Sequence, residues 1–238
     1  MYFARIDGDD WDTCTLKILA LETSGDFCSV ALWRESAIDD RELPAEQRQS
    51  GLLLDMVHDL LKACGEKLRD IDGIAFGAGP GSFTGLRIAC GVAQGLAMGM
   101  DKPVVGVATL QALAEASGAR RVACCVDARM SEVYQAAYEK SGGAWTTVQE
   151  PGVYAPNAVP PLPGEGWVGS GNGFAVYSDA LGARYGSQLS SINAALHARA
   201  RDVAVLAVPV FARGGGVSAE QAAPFYVRDK VALMTHER

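Results

Sequence analysis

The sequence lacks the residue patterns that build metal centres and disulfide frameworks. It has six cysteines, none of them in a CxxC pair, and only three histidines, which lie far apart. Zinc sites need cysteine or histidine ligands at short, regular spacings. We therefore predict no metal site and no cofactor, and we expect reduced thiols in a cytoplasmic protein rather than disulfides.

Long apolar stretches are missing as well. No run of about 18 residues is free of charged or strongly polar side chains, so the sequence predicts no membrane span. Residues 1–15 carry four aspartates and no apolar segment, a composition that does not fit a secretory signal. We expect residues 1–16 to form a flexible N-terminal extension.

Positive charge is also scarce. The net charge is −7, with 21 Lys and Arg side chains against 28 Asp and Glu side chains. Phosphate binding over a broad surface needs clustered Lys and Arg, so an extended nucleic-acid surface is not expected. If RNA is the substrate, a partner supplies most of the contact. The hydrophobic share of 49% and the charged share of 21% are ordinary for a globular protein.

The sequence does have alternating apolar strands and helices, which predict an α/β fold. The predicted strands span residues 16–20, 28–33, 71–76, 104–107, 122–126 and 132–138. The predicted helices span residues 50–67, 82–98, 110–116 and 202–212. Pro209 is expected to end or kink the last helix. Gly25 and Asp26 separate the first two strands, which we expect to form an antiparallel hairpin. Prolines and glycines predict loops and short strands at residues 150–173.

The second predicted helix has an unusual composition. Gly91, Gly95 and Gly99 recur every four residues, although a glycine inside a helix costs about 1 kcal/mol relative to alanine. A compensating gain would come from the close approach of another backbone along a ridge of residues four apart. The simpler interpretation is packing within the chain, against a sheet or the first helix. The alternative, a helix–helix interface with a partner, can hold at the same time.

Three loops are candidates for holding an anion. In the turn at residues 22–25, backbone amides and hydroxyls can hold a phosphate and Glu22 can hold a magnesium ion, although an ordinary hairpin turn explains this segment too. The glycine-rich loop at residues 77–85 lacks the lysine of a P-loop and is not GxGxxG. In the third loop, residues 127–132, no glycine follows Asp127, so close approach of a phosphate is expected to be obstructed.

No motif indicates nucleophilic catalysis. The sequence has no GxSxG elbow, and no Cys or Ser can be tied to a His by spacing. Ser82 opens a helix and is interpreted as its N-cap. Arg87 on the same helix is interpreted as a solvated or salt-bridged side chain rather than a phosphate ligand. We therefore predict no catalytic residues.

Several ordered blocks resemble the TsaB (YeaZ) family. The most specific signature of that family matches residues 79–88, GPGSFTGLRI. Further blocks match residues 18–23, 28–33, 105–110, 126–134 and 224–228. The resemblance is extensive over residues 17–140 and looser beyond them. Glu22 departs from the family pattern, in which aspartate is usual.

The resemblance implies an actin-like, Hsp70-like ATPase (ASKHA) fold with two lobes of mixed sheets flanked by helices. We expect the first lobe at residues 17–108 and a second, smaller lobe at residues 109–238, with a C-terminal segment able to return to the first. The implied function is that of a non-catalytic scaffold or activator subunit in forming N6-threonylcarbamoyladenosine at position 37 of tRNAs that read ANN codons. The implied partners are the catalytic paralogue TsaD, the ATPase TsaE, a second copy in a homodimer and, only through the complex, tRNA.

In this family the contact with TsaD uses a bundle of the first two helices, here near residues 50–67 and 83–98. The partner-interface candidates are Leu53, Val57, Leu60, Leu61, Ala89, Val92, Ala93, Gly95 and Leu96. TsaD binds a metal through paired histidines on its first long helix, where this sequence has only His58. Two other functions stay open: an actin-like kinase, favoured by the Glu22 turn, and a metallopeptidase, suggested by kinship within the superfamily.

Overall fold

Five strands from the first part of the chain form one mixed sheet in the computed structural model, which describes residues 15–45 and 49–228. Most of the predicted extension, residues 1–14, lies outside the described residues. The strands are β1 (Ile18–Glu22), β2 (Phe27–Arg34), β3 (Ala37–Pro44), β4 (Gly73–Gly79) and β5 (Val104–Ala108). Their order is β3-β2-β1-β4-β5. β1 pairs antiparallel with β2, which confirms the predicted hairpin, and parallel with β4.

The strand β3 is not among the predicted strands. It pairs antiparallel with β2 along its whole length and forms one edge of the sheet. Its segment, AIDDRELP, carries four charged side chains and ends in proline. Charged residues and proline are common on edge strands because they discourage pairing with other chains. The edge position therefore explains why an apolar pattern does not reveal β3.

A second mixed sheet is built from the strands that follow. They are β6 (Arg121–Asp127), β7 (Val133–Ser141), β8 (Ala144–Tyr154), β9 (Trp167–Ser170) and β10 (Leu189–Asn193), in the order β10-β9-β6-β7-β8. β6 and β7 confirm two predicted strands and pair antiparallel. β8 is not among the predicted strands, and its last five residues, 150–154, lie in the segment predicted to form loops and short strands. It follows a turn in which Gly142 and Gly143 have φ values of 59° and 86°, as a type I′ hairpin turn requires.

Helices cover both faces of the first sheet. On one face pack α1 (Gln49–Ala63) and α2 (Phe83–Met100). On the other face packs α6 (Ala200–Phe211), together with one side of α3 (Thr109–Ser117). α4 (Gly173–Val176) and α5 (Ser178–Tyr185) pack on the second sheet. Because successive strand residues point to opposite faces, Leu19 and Leu21 join the first core while Ile18 and Ala20 join the second.

The end of α1 differs from the prediction, whereas α6 ends at Phe211, one residue from its predicted end. α1 ends at Ala63 rather than at residue 67, because Gly65 takes a φ of 71° and the Glu66 N–H donates to the Leu61 carbonyl oxygen (2.9 Å), as in a Schellman motif. α6 continues past Pro209 to Phe211, so the proline does not end the helix. α6 follows the second sheet in sequence but packs on the first. The boundary near residue 108 stays a prediction.

Candidate functional site

The glycine-rich loop between β4 and α2 packs directly against the turn between β1 and β2. The Ser82 backbone N–H donates to the Ser24 carbonyl oxygen (2.8 Å), and Thr23 Oγ1 donates to the Gly85 carbonyl oxygen (2.7 Å). Ser82 Oγ also accepts the Gly85 N–H (3.4 Å), which confirms its predicted role as the N-cap of α2. Two of the three predicted anion loops, residues 22–25 and residues 77–85, are therefore packed against each other.

Three glycines make this contact possible. A Cβ at Gly77 would overlap the Glu22 carboxylate, and a Cβ at Gly85 would overlap the Thr23 carbonyl oxygen. A Cβ at Gly81 would lie 2.6 Å from the Cβ of the serine in the same turn. Glycine allows a close approach because it has no side chain. Here the approaching group is the protein's own backbone and carboxylate, so a phosphate is not needed to explain these residues.

The third predicted anion loop, between β6 and β7, has a strained backbone. Arg129, Met130 and Ser131 have φ values of 61°, 56° and 58°, a left-handed conformation that costs roughly 1–2 kcal/mol for each non-glycine residue. The Asp127 carboxylate supports the loop, because it accepts the Arg129 N–H (3.0 Å) and the Tyr177 hydroxyl (3.0 Å). Asp127 is thus engaged in hydrogen bonds within the protein.

These three loops border one cleft between the two sheets, with a volume of about 670 Å³. The structure therefore brings together segments that the sequence identifies separately. The walls come from residues 24–26, 80–84, 126–130 and 225–228. The charged side chains on the walls are Asp26, Asp127, Arg129 and Arg228. Two acidic and two basic side chains leave the cleft without an excess of positive charge, so its side chains provide no net electrostatic attraction for a polyphosphate.

The C-terminal segment, residues 224–228, connects the two sides of the cleft. The Phe225 N–H donates to the Ala78 carbonyl oxygen of the first sheet (2.7 Å). On the other side, Arg228 forms an ion pair with Glu132 and places its guanidinium 5.9 Å from the Tyr134 ring. The family resemblance marks this block but gives it no role, and no local pattern in the sequence shows that it reaches the second sheet.

Glu22 is enclosed between the hairpin turn and the glycine-rich loop. It is 2% exposed, its Oε1 accepts the Ser24 N–H (2.5 Å), and its Oε2 has no hydrogen-bond partner among the described residues. Burial raises the pKa of this carboxyl group above its ordinary value of 4.5, although hydrogen bonds from Ser24 oppose the rise. Its enclosed position does not fit the magnesium-binding role considered above.

Replacing Glu22 by glutamine is expected to flatten the pH dependence of stability. Because the pKa is raised in the folded protein, the contribution of the carboxyl group is fully present below the unfolded pKa and is lost as the pH rises through the folded pKa. Glutamine has nearly the same shape and cannot ionise. From about pH 4 to pH 8 the variant should gain about 1 kcal/mol over the wild type, an effect comparable to one unsatisfied buried polar group.

Urea unfolding at several pH values measures this difference. Asp26→Asn, at an exposed position of the same turn, is the matched control and should keep the wild-type profile. If the unfolding free energies of Glu22→Gln and the wild type change with pH in parallel, the buried carboxyl group does not titrate with a raised pKa.

The glycine row of α2 faces away from the protein. A Cβ at Gly91, Gly95 or Gly99 would meet no atom of the described residues within 4 Å. The interpretation that this row packs within the chain is therefore wrong. The side of α2 that packs on the first sheet is formed by alanines instead, Ala89, Ala93 and Ala97.

The predicted partner-interface residues divide into two groups. Val92, Gly95 and Leu96 lie at least partly on the surface of α2. The other six are at most 5% exposed and belong to the core beneath α1 and α2: Leu53, Val57, Leu60, Leu61, Ala89 and Ala93. Their apolar spacing is that of a helix face buried on its own sheet, so these six offer no surface to a partner.

Reactive thiols and metal clusters are not found in the described part of the chain. Burial raises the pKa of the Cys125 thiol to about 12, and burial with the nearby Glu22 raises that of Cys28 to about 11. Such thiols stay protonated near neutral pH and are poor nucleophiles. Within residues 15–45 and 49–228, no three His, Cys, Asp or Glu side chains are grouped to hold a metal ion. No helix there is long and apolar enough to cross a bilayer.

Two mixed sheets flanked by helices, with a cleft between them, place the protein in the ASKHA fold class, the class of actin and Hsp70. The solved structure of YeaZ from Pseudomonas aeruginosa has the same fold. It matches with a TM-score of 0.82 at 39% identity, covering 89% of this chain and 100% of that one. The predicted fold class is confirmed.

Sequence comparison narrows this class to one family. A family model described as TsaD, tRNA N6-adenosine threonylcarbamoyltransferase, matches residues 44–234. The tRNA threonylcarbamoyladenosine biosynthesis protein TsaB of Escherichia coli (strain K12) is 39% identical over 226 residues, 91% of this chain and 96% of that protein. The TsaB protein of Haemophilus influenzae is 44% identical over 124 residues, 50% of this chain and 52% of that protein. The chain therefore belongs to the TsaB (YeaZ) family.

Proposed function

We propose that this chain is a non-catalytic scaffold or activator subunit in the formation of N6-threonylcarbamoyladenosine at position 37 of tRNAs that read ANN codons, and that it binds a TsaD-like transferase. Membership of the TsaB family supports the pathway, because the curated relatives are named for that biosynthesis. The single observation that carries the binding role is the open glycine row of α2.

An open glycine row is costly unless something packs on it. Each glycine costs a helix interior about 1 kcal/mol relative to alanine, and no contact within the described chain offsets that cost at these positions. A partner helix can approach such a ridge closely. Both helices also expose large apolar side chains, with Leu54 46% exposed on α1 and Met98 60% exposed on α2. We assign the partner face to Val92, Gly95 and Leu96 together with these two residues.

The two carboxylates that border the candidate anion loops, Glu22 and Asp127, are enclosed or hydrogen-bonded within the protein. Glu22 is enclosed by the glycine-rich loop. Asp127 accepts hydrogen bonds from Arg129 and Tyr177. Phosphoryl transfer needs carboxylates that are free to hold a nucleotide-bound metal. These contacts support a binding role and give no support to the kinase alternative.

Further partners follow from the same face and from the charge of the chain. An isologous homodimer in isolation needs only a self-complementary surface, which the exposed sides of α1 and α2 can provide. We propose that an ATPase resembling TsaE joins the complex, that tRNA is contacted through the transferase, and that the complex works in the cytoplasm. A net charge of −7 suits a subunit that leaves phosphate contacts to its partner.

Size-exclusion chromatography and calorimetry with purified TsaD of the same organism test the proposal. We expect a stable complex, in which the transferase displaces the second copy of this chain from the homodimer. In a parallel titration with Mg-ATP, we expect no phosphoryl transfer by the chain alone. Failure to form a complex at micromolar concentrations, with ATP-dependent phosphorylation by the isolated chain, would contradict the proposal and favour a kinase.

A further inference from the structure

The side chain of Arg87 is held in one position on the surface of α2. Its guanidinium stacks on the Phe83 ring, 3.7 Å from the ring centroid. Its Nε donates to the Tyr226 hydroxyl (3.2 Å). The Tyr226 and Phe83 rings also pack together, with centroids 5.8 Å apart. The C-terminal segment therefore fixes an arginine that the sequence alone suggested was solvated or salt-bridged.

Arg87 is fixed without a carboxylate. Within residues 15–45 and 49–228, no Asp or Glu forms an ion pair with it, and its two terminal nitrogens, Nη1 and Nη2, donate no hydrogen bond. The neighbouring arginines differ, because Arg129 pairs with Asp127 and Arg228 pairs with Glu132. The N–H groups along one edge of a guanidinium can bind a carboxylate through two parallel hydrogen bonds. In Arg87 the terminal nitrogens are available for such a contact.

The fixed position matters for binding. An arginine usually loses rotamer freedom when a partner immobilises it. Here the contacts with Phe83 and Tyr226 hold the guanidinium in the free protein, which reduces that loss. Aromatic residues and arginine are also the residue types that dominate binding energy at protein interfaces. Phe83 and Tyr226 are both more than one-third exposed.

Arg87 lies on the surface proposed for the partner. It precedes Gly91 and Gly95 in steps of four residues, so it shares their ridge on α2. A segment packed along the glycines would meet the free edge of the guanidinium at the N-terminal end of the ridge. The charge expected there on the partner is negative.

We infer that Arg87 is a carboxylate receptor, which binds an Asp or Glu side chain of the transferase segment that lies along α2. This inference rests on the proposed function and adds the chemistry of its partner. A nucleic-acid phosphate is less well supported as the ligand, because phosphate sites need clustered cations and the nearest arginines are already paired with carboxylates.

Four variants of the full-length chain test this inference by titration against purified TsaD at several salt concentrations. Arg87→Gln is expected to weaken binding about tenfold and Arg87→Glu more strongly, since the latter places like charges together. Arg87→Lys should recover only part of the affinity, because an ammonium group lacks the planar edge. Tyr226→Phe should weaken binding less than Arg87→Gln, because it removes only the hydrogen bond that positions the guanidinium.

Arg213→Gln is the matched control, because Arg213 is exposed and has no side-chain partner among the described residues. It should leave both the affinity and its salt dependence unchanged, whereas Arg87→Gln should reduce the salt dependence. If the wild-type chain forms a complex and both Arg87→Gln and Arg87→Glu bind TsaD with the wild-type affinity, the inference is overturned. The proposed function would still stand. Loss of tRNA affinity with unchanged TsaD affinity would overturn it in favour of a phosphate. Absence of any wild-type complex would overturn both proposals.

Discussion

Gly85→Ala is expected to lower the free energy of unfolding by about 3 kcal/mol, a large effect for one added methyl group. The new Cβ would overlap the Thr23 carbonyl oxygen. That oxygen belongs to the backbone of a buried turn, so it cannot move aside as the end of a flexible side chain can. The substitution would also separate the Thr23 hydroxyl from the carbonyl oxygen of residue 85, which it now contacts at 2.7 Å.

Gly91→Ala is the matched control for this prediction. Both glycines lie in α2, but a Cβ at Gly91 would meet no atom within 4 Å in the part of the chain that the structure describes. Because alanine is the better helix former, this control should raise the free energy of unfolding by about 1 kcal/mol. Urea unfolding followed by circular dichroism measures both variants. Equal stability changes for the two would show that the contact between the glycine-rich loop and the hairpin turn contributes little.

Gly95→Leu is expected to weaken the complex with a TsaD-like transferase by about 100-fold while leaving the fold intact. The added side chain would project from the open ridge of α2, where a Cβ at Gly95 meets no described residue within 4 Å. A partner helix packed on that ridge would be pushed away, and overpacking of a close contact costs about 1–3 kcal/mol. Calorimetry measures the affinity, and thermal unfolding verifies that the variant is folded.

A glycine elsewhere in the chain provides the control for this effect. Gly182 lies in α5, and a Cβ there would also meet no atom within 4 Å among residues 15–45 and 49–228. Gly182→Leu adds the same apolar side chain at an exposed position of a helix that packs on the second sheet, so it should leave the affinity unchanged. Equal affinities for Gly95→Leu and Gly182→Leu would place the partner on another surface.

The elements that could be predicted from sequence are those whose pattern depends on local geometry. β1 is covered on both faces, so it appears as a continuous apolar run, and α2 shows the four-residue spacing of a buried helix face. β3 could not be predicted because an edge strand is defined by its neighbour β2 rather than by its own composition. The end of α1 was misplaced because apolar and charged residues continue beyond Gly65, whose left-handed conformation ends the helix.

The site shows a different limit of sequence reasoning. The three loops around the cleft could each be identified, but their contacts with one another could not, since they depend on segments far apart in the chain. A glycine such as Gly77 or Gly85 fits the approach of a phosphate or of the protein itself equally well. The spacing of Gly91 and Gly95 shows that they share a ridge but not which way the ridge faces. The role of Arg87 depends on Tyr226, which is more than 100 residues away.

Reconstituted modification of tRNA tests most directly whether this chain supports a reaction that it does not catalyse. The assay combines purified TsaD, TsaE, threonylcarbamoyl adenylate and tRNA, and it measures N6-threonylcarbamoyladenosine with wild-type chain, with Gly95→Leu and without the chain. We predict full activity with the wild type, strongly reduced activity with Gly95→Leu, and background activity without the chain or without TsaD. Full activity in the absence of the chain, or modification by the chain without TsaD, would contradict the proposed role.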